Sequence, residues 1–263
     1  MCARRQRCGR GMEEKASIYR LADVRVKINY IHESFAKFAA GYEAVDSDGF
    51  DEEICVTQED IEREAELSAR TNVAEGREII TYSDDYLETL AVYRKLCDKL
   101  VMRDILLFHS SAVEIDGRAY LFTAPSGTGK STHARLWREV FGDRVRMIND
   151  DKPLLYVTTA GVIVYGTPWD GKHHLSTNTF APVAGICFLA RGAENRIRRI
   201  TGAEAMSGLL GQAYVPEGAA ERRKETELVF TLAKTVPMWK LECNMEPEAA
   251  MVSYQAMSEV RQE

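Results

Sequence analysis

Tyr120-Leu121-Phe122-Thr123-Ala124-Pro125-Ser126-Gly127-Thr128-Gly129-Lys130-Ser131-Thr132 is the stretch on which the reading of this chain turns. The apolar residues 120–123 read as a strand. After the glycine loop, Leu136, Trp137 and Val140 within residues 132–141 mark a helix that Gly142 can cap. Strand, glycine loop and helix in that order form the setting in which a phosphate loop works. Gly127 and Gly129 let the backbone turn so that successive N–H groups face phosphate oxygens, and the helix N-terminus adds roughly half a positive charge. Lys130 is placed to reach β- and γ-phosphates, and the Ser131 hydroxyl to ligate Mg²⁺. Ser126, Gly127, Thr128, Gly129, Lys130, Ser131 and Thr132 are therefore the candidate residues for binding ATP with Mg²⁺. The pattern departs from its general form at the first glycine, where Ala124 stands.

One helix downstream, the apolar run 145–148 ends in Asn149-Asp150-Asp151. Two carboxylates at a strand end beside a phosphate loop suit metal binding and acceptance of a hydroxyl proton, with Asp150 the first choice as base and Asp151 as metal ligand. Acid pairs are also common turn chemistry.

Short apolar runs at 105–108, 112–115, 154–157, 162–165 and 183–190 predict further strands, and Asp116-Gly117 marks a hairpin. The hairpin puts antiparallel strands beside the parallel loop strand, so residues 105–263 are expected to form an α/β core with a mixed sheet. Helices are expected at 202–214, 221–235 and 247–260, with breaks at Pro216 and Pro237. Upstream, residues 84–102 carry the three-and-four spacing of an amphipathic helix, and residues 22–30 alternate as a half-buried strand. Residues 41–77 are acidic, with a polar stretch at 58–70. Short strands at 53–57 and 78–82 would complete a small α+β accessory region over residues 13–104. Residues 1–12 read as a disordered tail, because Arg4, Arg5, Arg7 and Arg10 have no apolar stretch behind them, as a secretory signal requires. Met12 is an alternative start.

Composition narrows the partners. Among 263 residues, 34 basic and 40 acidic side chains give a net charge of −6, which lacks the positive field that non-specific nucleic-acid binding relies on. The six cysteines form no CxxC pair and read as reduced thiols of a cytoplasmic protein. No apolar run reaches the roughly 20 residues of a membrane-spanning helix.

Weaker features surround the loop. Gly166-Thr167-Pro168-Trp169-Asp170-Gly171-Lys172 follows a strand, and Lys172 is either a phosphate-binding side chain or part of a turn stacked under Trp169. His173 and His174 are adjacent and point apart, poor geometry for one metal ion. Arg191, at the end of run 183–190, is the best of several arginines for a phosphate clamp. Arg196, Arg198 and Arg199 read more readily as a solvated face.

His109, the hairpin at Asp116-Gly117, the loop 126–131 and the pair Asp150-Asp151 resemble the catalytic domain of bacterial HPr kinase/phosphorylase, and Ser-Gly-Thr-Gly-Lys is similar to the loop of phosphoenolpyruvate carboxykinase. The match is close over residues 109–151 and does not extend to residues 1–104. It implies an ATP- and Mg²⁺-dependent kinase: Lys130 and Ser131 hold phosphates and metal, Asp150 or Asp151 accepts the hydroxyl proton, and His109 lies close to the phosphates. For His109 the alternative is a strand-end residue satisfied by backbone groups. Ser126 replaces an acidic residue of the HPr kinases and Thr132 a glutamate, so the likeness points to the ATP site and not to HPr as substrate. Short relatives of this kind also resemble kinases of peptide-modification gene clusters. The expected acceptor is thus a hydroxyl of a protein, peptide or small molecule, with self-association of the chain left open. Two other readings are a nucleotide-binding regulatory module and a carboxykinase-type lyase.

Overall fold

In the computed structural model, residues 15–45, 49–74, 76, 78 and 80–259 are described. The expected tail at 1–12, with Cys2 and Cys8, lies outside them. The chain divides into two units, Met1–Lys99 and Leu100–Glu263.

The first unit is built on β1 (Lys15–Leu21) and β2 (Val24–Tyr30), an antiparallel pair. Ala22 and Asp23 do not belong to the strand that the alternation over 22–30 suggested. Both have positive φ, 49° and 62°, and they make the two-residue turn of the hairpin. After the short α1 (Ser34–Phe38), β3 (Glu52–Cys55) joins β2 in parallel. Two helices complete the unit, α2 (Gln58–Ala74) and α3 (Asp84–Leu100). The polar stretch 58–70 is therefore helical, and its signal was a reciprocal cap: Asp60 N donates to Thr57 Oγ1 at 3.3 Å while Thr57 N donates to Asp60 Oδ2 at 2.8 Å. Polar contacts anchor this helix to α3, with Arg94 donating to the buried Glu64 and Lys95 Nζ to Asp60. The strand expected at 78–82 does not form at residues 78 and 80–82. Ile80 is 52% exposed, so the apolar run has no face to bury.

The second unit runs through the strands β4 (Ile105–Leu107), β5 (Ser111–Ile115) and β6 (Arg118–Thr123), the helix α4 (Lys130–Phe141), and the strands β7 (Val145–Asn149), β8 (Leu154–Thr158), β9 (Gly161–Tyr165), β10 (Phe180–Arg191) and β11 (Arg196–Ile200). α5 (Gly202–Gln212), α6 (Ala219–Thr235), β12 (Met238–Cys243) and α7 (Glu248–Ser258) follow. Asp116 and Gly117, with φ of 53° and 78°, form the predicted hairpin between β5 and β6. β6 lies antiparallel to β5 and parallel to β10, so the sheet is mixed, as that hairpin implies. The twelve-residue β10 pairs antiparallel with β9 over its first residues and then parallel with β6 and β12. β11 and β12 are strands that hydropathy alone did not mark. β11 is an edge strand whose Arg196 and Arg198 pair with Glu194 and Glu204, while Arg199 lies over the Trp239 ring.

Period-two alternation in β6 decides the layers. Ala119 and Leu121 face a core with Leu209 of α5 and Leu228, Val229 and Leu232 of α6. Tyr120 and Phe122 face the opposite core, with Ala134 and Trp137 of α4 and Ala249, Ala250 and Met257 of α7. On α4 the buried residues Lys130, His133, Ala134 and Trp137 follow the three-and-four spacing of one helix face. Lys130 thus shares the stripe that packs on the sheet, which draws its amine beneath the preceding loop.

Ser253 ties this face together, accepting from Trp137 Nε1 at 2.9 Å and meeting His133 Nε2 at 3.0 Å. Burial pushes the His133 pKa down to about 4, against 6.5 for an unperturbed histidine. The unfolded chain therefore binds a proton at this residue that the folded chain refuses, and stability is lost as pH falls from about 6.5 towards 4. About 2 kcal/mol should disappear between pH 7 and pH 5 from this residue alone. Urea unfolding at the two pH values is expected to show a smaller difference in His133→Gln than in wild type; an unchanged difference would place the acid sensitivity elsewhere.

Candidate active site

The loop between β6 and α4 begins as a turn, with Thr128 N donating to Pro125 O at 3.2 Å. Gly127 and Gly129 have φ of 76° and 126°, values that side-chain-bearing residues rarely adopt, so the glycines are required by the backbone itself. Gly129 is the N-cap of α4 and no side chain caps the helix, which leaves its first N–H groups at the loop without a side-chain acceptor. The helix begins at Lys130, two residues before the stretch 132–141 expected from its apolar positions. Lys130 is only 8% exposed, and its Nζ donates to Ala124 O at 2.9 Å. Burial lowers its pKa, opposed by the negative charges of Asp151 and Asp150.

Those two carboxylates stand at the end of β7, and their environments differ. Asp150 is 4% exposed and accepts from Ser111 Oγ at 2.8 Å and from the Ser131 hydroxyl. Burial raises its pKa above the usual carboxylate value and the charge of Asp151 adds to this, outweighing the two hydroxyls. For Asp151, burial also acts upward, but the hydrogen bond to His109 and the Lys152 ammonium prevail and hold its pKa below the usual value. His109 Nε2 lies 2.8 Å from Asp151 Oδ1. The His109 ring is thus met by a carboxylate, not by the backbone groups that were the alternative for it. Neighbouring acids whose proton affinities are driven apart are a common arrangement for dividing base and charge-holding roles.

Asn149 positions the pair. Fully buried, it accepts at Oδ1 from Asp151 N at 2.8 Å and Lys152 N at 2.7 Å, and donates from Nδ2 to Thr167 O at 3.1 Å and Trp169 O at 3.3 Å. The turn after β9 is thereby locked under the acid pair, and Gly171 sits directly against it. A Cβ at Gly171 would lie 2.7 Å from Asp150 Oδ2. Lys172, the residue of this turn with the stronger sequence argument, is exposed and lines neither of the clefts beside the loop. The acid-facing position is the neighbouring glycine. Trp169 is buried, 5% exposed, as expected of a structural turn. His174 pairs with Asp170, while His173 faces Asp150.

Two clefts flank α4. One, of about 470 Å³, runs along Gly127–Gly129, Thr132, Leu136, Leu189, Arg191 and Met245. Arg191 Nη2 donates to Gly127 O at 2.6 Å, so this arginine is held on the loop. The other, of about 380 Å³, is lined by Ser131, Thr132, Arg135, Arg138, Met147, Asp150, His173 and Leu175. Ser126 lines neither. Sequence reasoning therefore brought Gly127, Thr128, Gly129, Lys130, Ser131, Thr132, Asp150 and Arg191 to one place. It missed Ser111, Gly171, Arg135 and Arg138, whose spacing from the loop carries no motif. Among the described residues, no group of three or more His, Cys, Asp or Glu side chains is arranged to hold a metal ion by itself. No helix among them is long and apolar enough to cross a membrane, and Cys55, Cys97, Cys187 and Cys243 are not in disulfides.

No family model and no curated protein matches the sequence. Among solved structures, the chain is similar to the HPr(Ser) kinase/phosphatase from Coxiella burnetii, with 13% identity and a TM-score of 0.32, over 59% of this chain and 99% of that one. A likeness of that size carries no weight for the chemistry, which rests on the loop, the lysine and the acid pair themselves.

Proposed function

We propose that this chain is an ATP- and Mg²⁺-dependent kinase that transfers the γ-phosphoryl group to a hydroxyl of a protein, peptide or small molecule. The observation that carries the reading is one juxtaposition: Asp150, a buried carboxylate with raised proton affinity, bonded to Ser131 at the uncapped N-terminus of α4. The residues fit the nucleotide. Loop N–H groups, Lys130 and Arg191 offer donors to a triphosphate, and the 470 Å³ cleft with Leu136, Leu189 and Met245 offers an apolar wall to a base. They also fit the cation. Ser131 and Asp151 supply hard oxygen donors, and Mg²⁺ is normally held by one or two carboxylates with the remaining positions filled by phosphate oxygens and water. Bound there, it would supply positive charge to offset that of the phosphates. Asp150 accepts the acceptor's proton, Lys130 balances charge on the transferring group, and His109 fixes Asp151.

The test is incubation with Mg²⁺ and γ-labelled ATP, first alone and then with hydroxyl-bearing peptides and a metabolite pool. Label on an acceptor is expected. Tight ATP binding with no transfer to anything would leave a regulatory module instead. Gly171→Ala is the sharper variant: the backbone there accepts alanine, but the new Cβ presses on Asp150. Transfer should fall about 10- to 100-fold, as small misplacements of reacting groups do, with the melting temperature nearly unchanged. Full activity in this variant would mean that the Asp150 position is not critical.

A further inference from the structure

We infer that the 380 Å³ cleft beside Asp150 is the acceptor site and that it selects an acceptor whose hydroxyl stands next to a carboxylate or phosphate, an inference that rests on the kinase reading. The cleft is asymmetric. Met147 and Leu175 give it apolar walls, the hydrogen-bonded Ser131 and Asp150 line it together, and Arg135, Arg138 and His173 supply the other ionisable groups that line it. In a chain of net charge −6, a cleft whose only acid among the described residues is the proposed base favours anions.

The arginines are open to a ligand to different degrees. Arg135 donates from Nη1 to Glu139 at 2.5 Å, an exposed pair one helical turn apart, of a kind that contributes little and exchanges readily. Arg138 is half-buried and, among the described residues, makes no ion pair and no side-chain hydrogen bond. A guanidinium partly withdrawn from water without an anion is unfavourable, and its fork matches a carboxylate or phosphate with two parallel bonds. Arg135 and Arg138 are three residues apart on α4, hence on one face. An anionic group held there would leave a neighbouring hydroxyl directed towards Asp150. In the transfer, the acceptor oxygen bonds to the γ-phosphorus and the bond from that phosphorus to the oxygen bridging the β-phosphate breaks. ADP leaves, and the hydroxyl proton passes to Asp150.

The test is a titration of the full chain, with saturating Mg·ADP on the loop, followed through the Nε–H signals of Arg135 and Arg138. The probes are two matched pairs: glycerate against glyceramide, and a capped Asp-Ser-Asp peptide against Asn-Ser-Asn. In at least one pair the charged member should bind at least about tenfold more tightly than the neutral one, the size expected of a charge-assisted hydrogen bond. The preference should vanish in Arg138→Gln and return in Arg138→Lys, which also shows that the cleft still folds. Preference within the first pair identifies a small hydroxy acid, and within the second an acidic peptide. Equal binding of charged and neutral members, no response of either arginine to any probe, or a preference that survives Arg138→Gln would each overturn the inference. Failure of Mg·ADP to bind in the same samples reports on the nucleotide site separately.

Discussion

Asp150→Asn should reduce phosphoryl transfer by about 10²- to 10⁴-fold, the usual contribution of a positioned general base, while the protein still folds and binds nucleotide. Asparagine has the same shape, and its Oδ1 can keep the 2.8 Å contact with Ser111, so the packing around β5 and β7 has little reason to change. What is lost is the ability to take a proton. Removing a negative charge beside Lys130 and the triphosphate would favour nucleotide binding. The predicted signature is therefore a split: turnover collapses and ATP affinity holds or rises. Label transfer and equilibrium titration on the same samples read both, and a variant that transfers label at the wild-type rate would remove Asp150 from the chemistry.

Lys130→Ala should act on both quantities. The amine is buried under the loop, where it donates a hydrogen bond to Ala124 O, and it is poised to exchange that carbonyl for phosphate oxygens. A charge-assisted bond to a phosphate is worth about 1.5–3 kcal/mol, so ATP affinity should drop roughly 10- to 100-fold. Turnover should drop further, because charge on the transferring group is greatest in the transition state. Lys130→Met separates this from packing, since methionine refills most of the buried stem. Equal ATP affinity in wild type and Lys130→Met would show that the lysine is structural.

Much of the second unit was legible because its signals are local. Gly127 and Gly129 adopt backbone angles that demand glycine, Asp116-Gly117 makes the hairpin its dipeptide announces, and the apolar runs of β4 to β10 are buried by the layers above and below. The acid pair was visible for the same reason, being adjacent in sequence at a strand end. What failed to show is what tertiary structure assembles. β12 follows Pro237 and finds its place only through parallel pairing with β10. β11 reads only as a solvated charged face because an edge strand needs no continuous apolar run. α2 is held by ion pairs with α3 in place of an apolar stripe, so hydropathy missed it, and its local signal, the Thr57–Asp60 cap, went unread. In the site itself, Ser111 and Gly171 touch Asp150 from distant points in the chain, whereas Lys172, with an attractive charge beside a turn, stays outside both clefts. A residue that supports a catalytic group by lacking a side chain, as Gly171 does, leaves no positive signal to read.

If the turn from Gly127 to Ser131 grips a triphosphate, a titration of the wild-type chain with Mg·ATP, followed through individual backbone amide signals, will show it. The amides of Gly127, Thr128, Gly129, Lys130 and Ser131 should shift together on one saturating curve, with those of Val26 and Ile28 in β2 unmoved. Loop amides that stay in place while ATP binds elsewhere, or no binding at millimolar ATP, would contradict it.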